Sequence, residues 1–278
     1  MTARDLEPHA RQALPDPRAV RQTILDMIHG GQASHLGTSM SVVEILIAVY
    51  GACEVESISA GSADRDRVFV SKGHGAAATY AVMHHFGLLD AATVASYHRN
   101  GSVLAGHVSH AVSGVEHSTG ALGHGLPVAV GTALGLRSAG SPDARVFCIL
   151  GDGEIQEGAV WEALMFAAHH RLSRLIPIVD NNRISSIKRT TEVLNMEPLE
   201  DRFSGFGFAV HRVDGHDVGA LGQAIDQIFE SDRPSVIVAD TVKGRGVPFA
   251  EDQPIWHYRS LDDEAHAAAT AACAGSNQ

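Results

Sequence analysis

Two short stretches carry side chains whose types and spacing can hold a cation beside phosphate: Gly151-Asp152-Gly153 and Asp180-Asn181-Asn182. Asp152 offers a carboxylate, Asn182 an amide oxygen, and Ile184 just beyond a backbone carbonyl. Three such oxygens, completed by two diphosphate oxygens and a water, make the hard oxygen shell that Mg²⁺ takes; Ca²⁺ or Mn²⁺ would suit the same donors. Gly153 and Asn181 are separated by 27 residues, the length of one crossover helix and its return strand. Alone, the first triplet reads equally as a turn after a strand and the asparagine pair as a helix cap. At this spacing, each behind an apolar run, they read as one site.

Histidine is the other residue that could do chemistry here, with 17 in the chain. His74 lies between Gly73 and Gly75, and His107 follows Gly106. Glycine on the flank lets the backbone come close to a ligand and leaves the imidazole facing it. His35 and His257 are further candidates, whereas His9, His84, His85, His169, His170 and His266 read as surface or hydrogen-bonded core residues.

The elements that must position these groups follow from the apolar pattern. Arg145–Leu150 and Leu175–Val179 are buried strands leading into the two triplets, with a helix over Gly158–Ala168 between them. Arg67–Val70 is a strand that enters Ser71-Lys72-Gly73-His74-Gly75, and a helix follows to Phe86. Further helices are expected over Arg18–His29, from Ser39 or Ser41 to Val49, and after an Asp90 cap to His98. Residues 99–118 form a long loop, of a length that is usually functional or mobile. Gly120–Gly140 is apolar nearly all round and is expected as a buried helix. Ala209–Val213 and Ser235–Ala239 are strands flanking a helix over Ala220–Glu230, and a short helix lies near Pro198–Phe206. Strands alternating with helices predict an α/β fold, a mainly parallel sheet with helices on both faces and its ligand site at the carboxyl ends of the strands. One domain is expected over 18–260, with an N-terminal extension over 1–17 and a flexible Ala-rich tail over 261–278.

Composition bounds the partners. The chain has 278 residues, 45% hydrophobic and 19% charged, with a net charge of −11. That balance lacks the basic footprint of nucleic-acid binding, and an acidic protein that handles phosphate needs a local device such as a metal. Three cysteines without paired spacing point to a reducing compartment and away from a disulfide frame. No apolar run approaches the eighteen residues of a membrane span, so a cytoplasmic protein is expected.

With these residues assembled, the chain resembles the N-terminal part of transketolase. Gly151-Asp152-Gly153 with Asn181-Asn182 looks like the thiamine-diphosphate fingerprint. Asp66–Gly75 is similar to that family's cofactor-binding stretch. Gly106-His107, Gly114-Val115-Glu116, Ser118-Thr119-Gly120, Leu122-Gly123 and Val213–Asp217 follow in the family's order. The resemblance runs from about residue 18 to 258. Full-length transketolases continue through two further domains, so the chain resembles the first subunit of a split transketolase.

The resemblance implies roles residue by residue. Asp152, Asn182 and the Ile184 carbonyl would hold Mg²⁺, and Gly151, Gly153 and Glu154 would lie along the cofactor's diphosphate. Gly120, Ala121 and Leu122 would lie against its aminopyrimidine. His74 would sit near the diphosphate and thiazolium, His107 would face the reacting centre, and His35 and His257 match substrate histidines. Glu157 matches an acid used in pairing subunits. Departures from the family pattern are Ala121, His124 and His117 along the cofactor, and Leu36 and Tyr258-Arg259 at the substrate mouth. They bear on sugar specificity more than on cofactor binding.

Resemblance also implies ketol transfer, a two-carbon unit passing from a ketose or ketose phosphate to an aldose. The chemistry needs a carboxylic acid at the aminopyrimidine, which the family carries on its second domain. Glu154 and Glu157 follow Asp152 too closely to reach that far end. A partner chain bearing the pyrimidine domain and its glutamate is therefore expected, in an α₂β₂ assembly, with the 120–139 helix as a candidate interface. Two other readings compete: one component of a thiamine-dependent 2-oxo acid decarboxylase or dehydrogenase, and a non-catalytic assembly subunit.

Overall fold

The computed structural model describes residues 13–275; most of the expected N-terminal extension, and residues 276–278 of the expected tail, lie outside them. Five parallel strands form one sheet in the order β1-β2-β3-β5-β4: β1 Arg67–Val70, β2 Val146–Gly151, β3 Leu175–Asn181, β4 Ala209–Asp214 and β5 Ser235–Asp240. The strands alternate between two apolar layers, as a sheet covered on both faces must. Phe147, Ile149, Ile176, Ile178 and Ile237 face one side, under helices α1 (Pro17–Gly31), α2 (Leu36–Ser41), α3 (Val43–Ala52), α5 (Ala76–His85) and α11 (Val218–Phe229). Cys148, Leu150, Leu175, Val179 and Val236 face the other, under α7 (Gly125–Ser138), α8 (Gly158–His169) and α10 (Leu199–Gly205). Three short helices, α4 (Val55–Ala60), α6 (Ala91–Ala95) and α9 (Thr190–Val193), lie in connections.

Register brings the tips level: Gly151 stands opposite Asp180, Asn181 opposite Asp240, and Asp214 opposite Asp240. The chemistry-bearing loops therefore leave the sheet along one edge, at its carboxyl ends.

Several elements differ from expectation. The helix expected from Ser39 or Ser41 begins earlier and is broken, with Val42 between α2 and α3 and both serines inside α2. Its first turn starts from His35 in the left-handed region, φ 71°, which turns the chain sharply at the site. The 120–140 segment starts its helix at Gly125, because Gly123 takes φ 79° and ends the preceding turn. Nor is that helix buried all round: it buries Leu126, Ala129, Val130 and Ala133 and leaves Val128, Gly131 and Gly135 exposed. Residues 261–278 hold a helix, α12 (Asp263–Gly275), in place of a loose tail. Its Cys273 and Ala269 are buried, and the His29–His266 stack joins it to α1. Among the described residues no helix is long and apolar enough to cross a membrane.

Candidate active site

The loops at the strand tips build a floor of charge and a wall of imidazoles. The floor starts at β3, where Asp180 is fully buried and binds Lys72 Nζ, Thr241 Oγ1 and Ser41 Oγ, the last at 2.6 Å. These partners hold its carboxyl below the usual range although burial acts against them. Asp152 Oδ1 accepts from the Gly153 amide at 2.7 Å and Oδ2 from the Arg183 amide, so β2 and β3 are joined tip to tip. Burial, with the Asp180 charge nearby, pushes the Asp152 carboxyl upward. Asn182 Oδ1 accepts from the Ile184 amide at 3.2 Å and its Nδ2 donates to Asp180 at 3.3 Å.

Lys243, two residues past Thr241, reaches the same place from β5. Its ammonium donates to the carbonyls of Ile184 and Ser185, each at 2.9 Å. The Ile184 carbonyl, expected to face a metal, thus already faces a cation. Burial lowers the Lys243 pKa while Asp152 and Asp180 hold it up. Hard oxygens from Asp152, Asn182 and Ile184 around a buried acid pair fit a divalent cation. Among the described residues no group of three or more His, Cys, Asp or Glu could hold a metal, so any metal here must use the amide and carbonyl oxygens.

The four candidate histidines converge above this floor. His35 lies 5.0 Å from His257, 5.4 Å from His107 and 5.6 Å from His74 between ring centroids, and His74 lies 5.2 Å from His257. They come from four separate segments, tied by backbone bonds. His35 N–H donates to the His257 carbonyl at 3.1 Å, and Val108 N–H to the Gly73 carbonyl at 3.1 Å. Tyr80 Oη donates to the His107 carbonyl at 3.2 Å and accepts from the Ser109 amide at 3.1 Å, which orders the long loop around His107. Gly73 has no room for a Cβ because the Thr119 carbonyl lies against it.

All four imidazoles are held toward the neutral form. Burial, then His107, Lys243 and His98, pushes His35 down to about 4; burial, then Lys243 and His35, pushes His257 down to about 3. Burial and Lys72 hold His74 well below the ordinary value, and burial lowers His107. His257 Nδ1 is buried with no hydrogen-bond partner among the described residues, a state a ligand atom would relieve.

One expected cofactor residue, Glu154, is engaged by the architecture. Glu154 Oε1 accepts from Ser71 Oγ and from the Gly123 amide at 2.9 Å, and Oε2 from the Gly151 amide at 3.1 Å. Both its oxygens are engaged, so it pins the 120–123 turn to the tips of β1 and β2. A Cβ on Gly153 would stand 3.4 Å from Ser185 Cβ, an ordinary contact that the hairpin tolerates. Gly120, Ala121 and Leu122 form the turn that Glu154 holds, with Gly120 and Ala121 exposed and Leu122 half-buried. The expected site omits Lys72 and Lys243. A lysine just past an apolar strand is the available signal for both. His216, at the tip of β4, accepts from the Val242 amide at 2.8 Å through Nε2; Nδ1 then carries the proton and donates to Glu44 at 3.0 Å. Both nitrogens being engaged, it braces the Lys243 loop.

The chain is similar to known proteins over most of its length. The family described as "Transketolase, thiamine diphosphate binding domain" matches residues 16–277. An apulose-4-phosphate transketolase subunit of Actinobacillus succinogenes is 36% identical over 245 residues, covering 87% of this chain and 88% of that protein. The 6-deoxy-6-sulfo-D-fructose transketolase subunit SqwG of a Clostridium species is 35% identical over 255 residues, covering 91% and 92%. The crystal structure of Campylobacter jejuni transketolase superposes with a TM-score of 0.84 at 28% identity, over 93% of this chain and 42% of that one. This chain thus spans about two-fifths of the solved transketolase and nearly all of the two relatives named as subunits, and it belongs to the transketolase family.

Proposed function

We propose that this chain is the diphosphate-binding subunit of a two-chain transketolase, passing a two-carbon ketol unit from a ketose to an aldose. The observation that carries the reading is the convergence of His35, His74, His107 and His257, all held neutral, over the Asp152–Asn182–Lys243 floor. Thiamine diphosphate, when bound, supplies the nucleophilic carbon and stores the electrons of the broken carbon–carbon bond. Asp152, Asn182 and the Ile184 carbonyl would hold its Mg²⁺, while Lys72 and Lys243 would balance diphosphate charge. The imidazoles would bond sugar hydroxyls, each with one donor and one acceptor nitrogen in the neutral form.

The partner carries the acid for the aminopyrimidine. Glu154, which touches the 120–123 turn, has both oxygens on protein donors. The paired helices α7 and α8 carry exposed apolar area suited to a partner: Met165 and Phe166 of α8 are 53% and 42% exposed and Val128 of α7 is 37% exposed. An α₂β₂ assembly would cover this face and complete the site. The names of the two relatives carry a phosphate and a sulfo group. The donor is accordingly a ketose with an anionic terminal group. A soluble cytoplasmic setting suits the three reduced cysteines.

The test is co-expression with a transketolase-like partner chain and assay of ketol transfer. Transfer is expected only when both chains, thiamine diphosphate and Mg²⁺ are present. Release of CO₂ from pyruvate without ketol transfer would instead establish a 2-oxo acid enzyme. Cofactor binding with neither activity would establish an assembly subunit.

A further inference from the structure

A second cavity, of about 370 Å³, opens beside the floor at the tips of β4 and β5. Asn182 lines both places; Asp152, Lys243 and the four clustered histidines line only the first. On this side the lining is charged. Arg189 and Arg245 face the cavity, and among the described residues neither guanidinium has a hydrogen-bond or ion-pair partner. Arg183, the third arginine, is tied to Asp240 at 3.3 Å, and Asp240 is also held by Arg212. Asp252 has no side-chain partner among the described residues, and Asp214 uses one oxygen to accept from the His216 amide at 2.8 Å. The His216 ring has both nitrogens engaged elsewhere and acts as wall.

We propose that this cavity is a second small-molecule site, for a hydroxylated phosphate monoester. Two unengaged guanidiniums match a dianion, and the planar fork of arginine suits phosphate oxygens in pairs. The free oxygens of Asp252 and Asp214 in the same lining can only accept, so the ligand must bring hydroxyl donors as well. The volume fits a small polar metabolite. The hairpin that carries Arg189 closes through Ser185 N–H to the Lys188 carbonyl at 2.9 Å and Thr190 N–H to the Arg183 carbonyl at 3.0 Å. Its backbone presents Ile184 to the floor on one side and its arginines to the cavity on the other. The assignment does not depend on the transketolase chemistry and survives if that reading fails.

Glycerol 3-phosphate is the probe, titrated calorimetrically into the full chain at constant ionic strength, with inorganic phosphate and glycerol as part-ligands. One saturable site is expected. Affinity should fall about tenfold or more in the Arg189→Gln/Arg245→Gln double variant, the loss that follows from charged hydrogen bonds. His107→Gln, an exposed position in the imidazole wall and outside this lining, should change it by less than about twofold. Arg189→Gln alone, at an exposed hairpin position, gives a smaller loss and serves if the double variant does not fold. A loss in His107→Gln as large as in the arginine variants would place the ligand in the cofactor site and overturn the proposal. So would unchanged affinity in the arginine variants, or no saturable binding. Inorganic phosphate binding as tightly as glycerol 3-phosphate would remove the hydroxyl half of the assignment.

Discussion

Replacing His257 by glutamine should make the protein less sensitive to acid. In the folded state its pKa is pushed down to about 3, mainly by burial and then by Lys243 and His35, from an ordinary 6.5. Between those values the unfolded chain binds a proton that the folded chain refuses. Stability from this group is therefore present above pH 6.5 and is lost as pH falls toward 3. At pH 5 the interval crossed is 1.5 units, worth about 2 kcal/mol at 1.36 kcal/mol per unit. Against a domain stability of about 5–15 kcal/mol that is readily measured. Urea denaturation of wild type and His257→Gln at a series of pH values from 4.5 to 8 isolates this contribution, because the difference cancels other groups that titrate alike in both. The difference should be flat above pH 6.5 and then change by about 1.4 kcal/mol per pH unit in favour of the variant as pH falls. Any offset at neutral pH reports lost packing and leaves the slope untouched. Parallel curves across the whole range would refute the reasoning, since they would mean that His257 protonates as easily folded as unfolded.

Three other outcomes follow from the site. Glu154→Ala leaves Ser71 Oγ and the Gly123 and Gly151 amides without their acceptor, which at about 1–3 kcal/mol each should remove roughly 3–9 kcal/mol of stability in urea; Glu154→Gln should lose about 1–2. Gly73→Ala drives a methyl into the Thr119 carbonyl, so it should lower stability by about 1–3 kcal/mol and raise hydrogen exchange in the His107 loop. Asp152→Ala should abolish Mg²⁺-dependent binding of thiamine diphosphate to the two-chain complex, measured by calorimetry with and without chelator; unchanged affinity would remove Asp152 from the metal assignment.

The fold is readable because four of the five strands carry an apolar run that meets glycine or a polar residue at its end; only β4 is interrupted, by His211 and Arg212. Val146–Gly151 and Leu175–Asn181 are legible down to their tips for that reason. His74 and His107 are legible through their glycine neighbours. What stays hidden depends on contacts distant in sequence. Glu154 meets Ser71 across 83 positions and Gly123 across 31, and nothing local separates such a pin from a cofactor ligand. Helix α7 is uniformly small and apolar, so periodicity does not say which face the sheet takes. For α12 the Ala-rich pattern has no strong stripe, and its order comes from contacts with α1, among them the His29–His266 stack at 4.3 Å. Lys243 escapes a reading of the sequence because an ionisable residue is taken as solvated unless a partner is known, and its partners are the Ile184 and Ser185 carbonyls, more than fifty residues earlier in the chain.

The floor and the wall divide the electrostatics between them. On the floor Asp152 and Asp180 face Lys72 and Lys243, two acids against two bases, all buried. Burial raises the Asp152 carboxyl and lowers the Lys243 ammonium, while the opposite charges act against both shifts. Losing one member leaves another uncompensated: without Lys243, Asp152 loses one of the two cations that hold its pKa down. The wall works the other way. Burial is the main cause that keeps the imidazoles neutral, and for His35, His74 and His257 the neighbouring imidazoles and lysine ammonium groups add to it. A neutral imidazole can donate and accept at once, which a sugar hydroxyl needs and an imidazolium cannot offer. Lys72 and Lys243, which would balance diphosphate charge, thus add to the burial that keeps His35, His74 and His257 neutral.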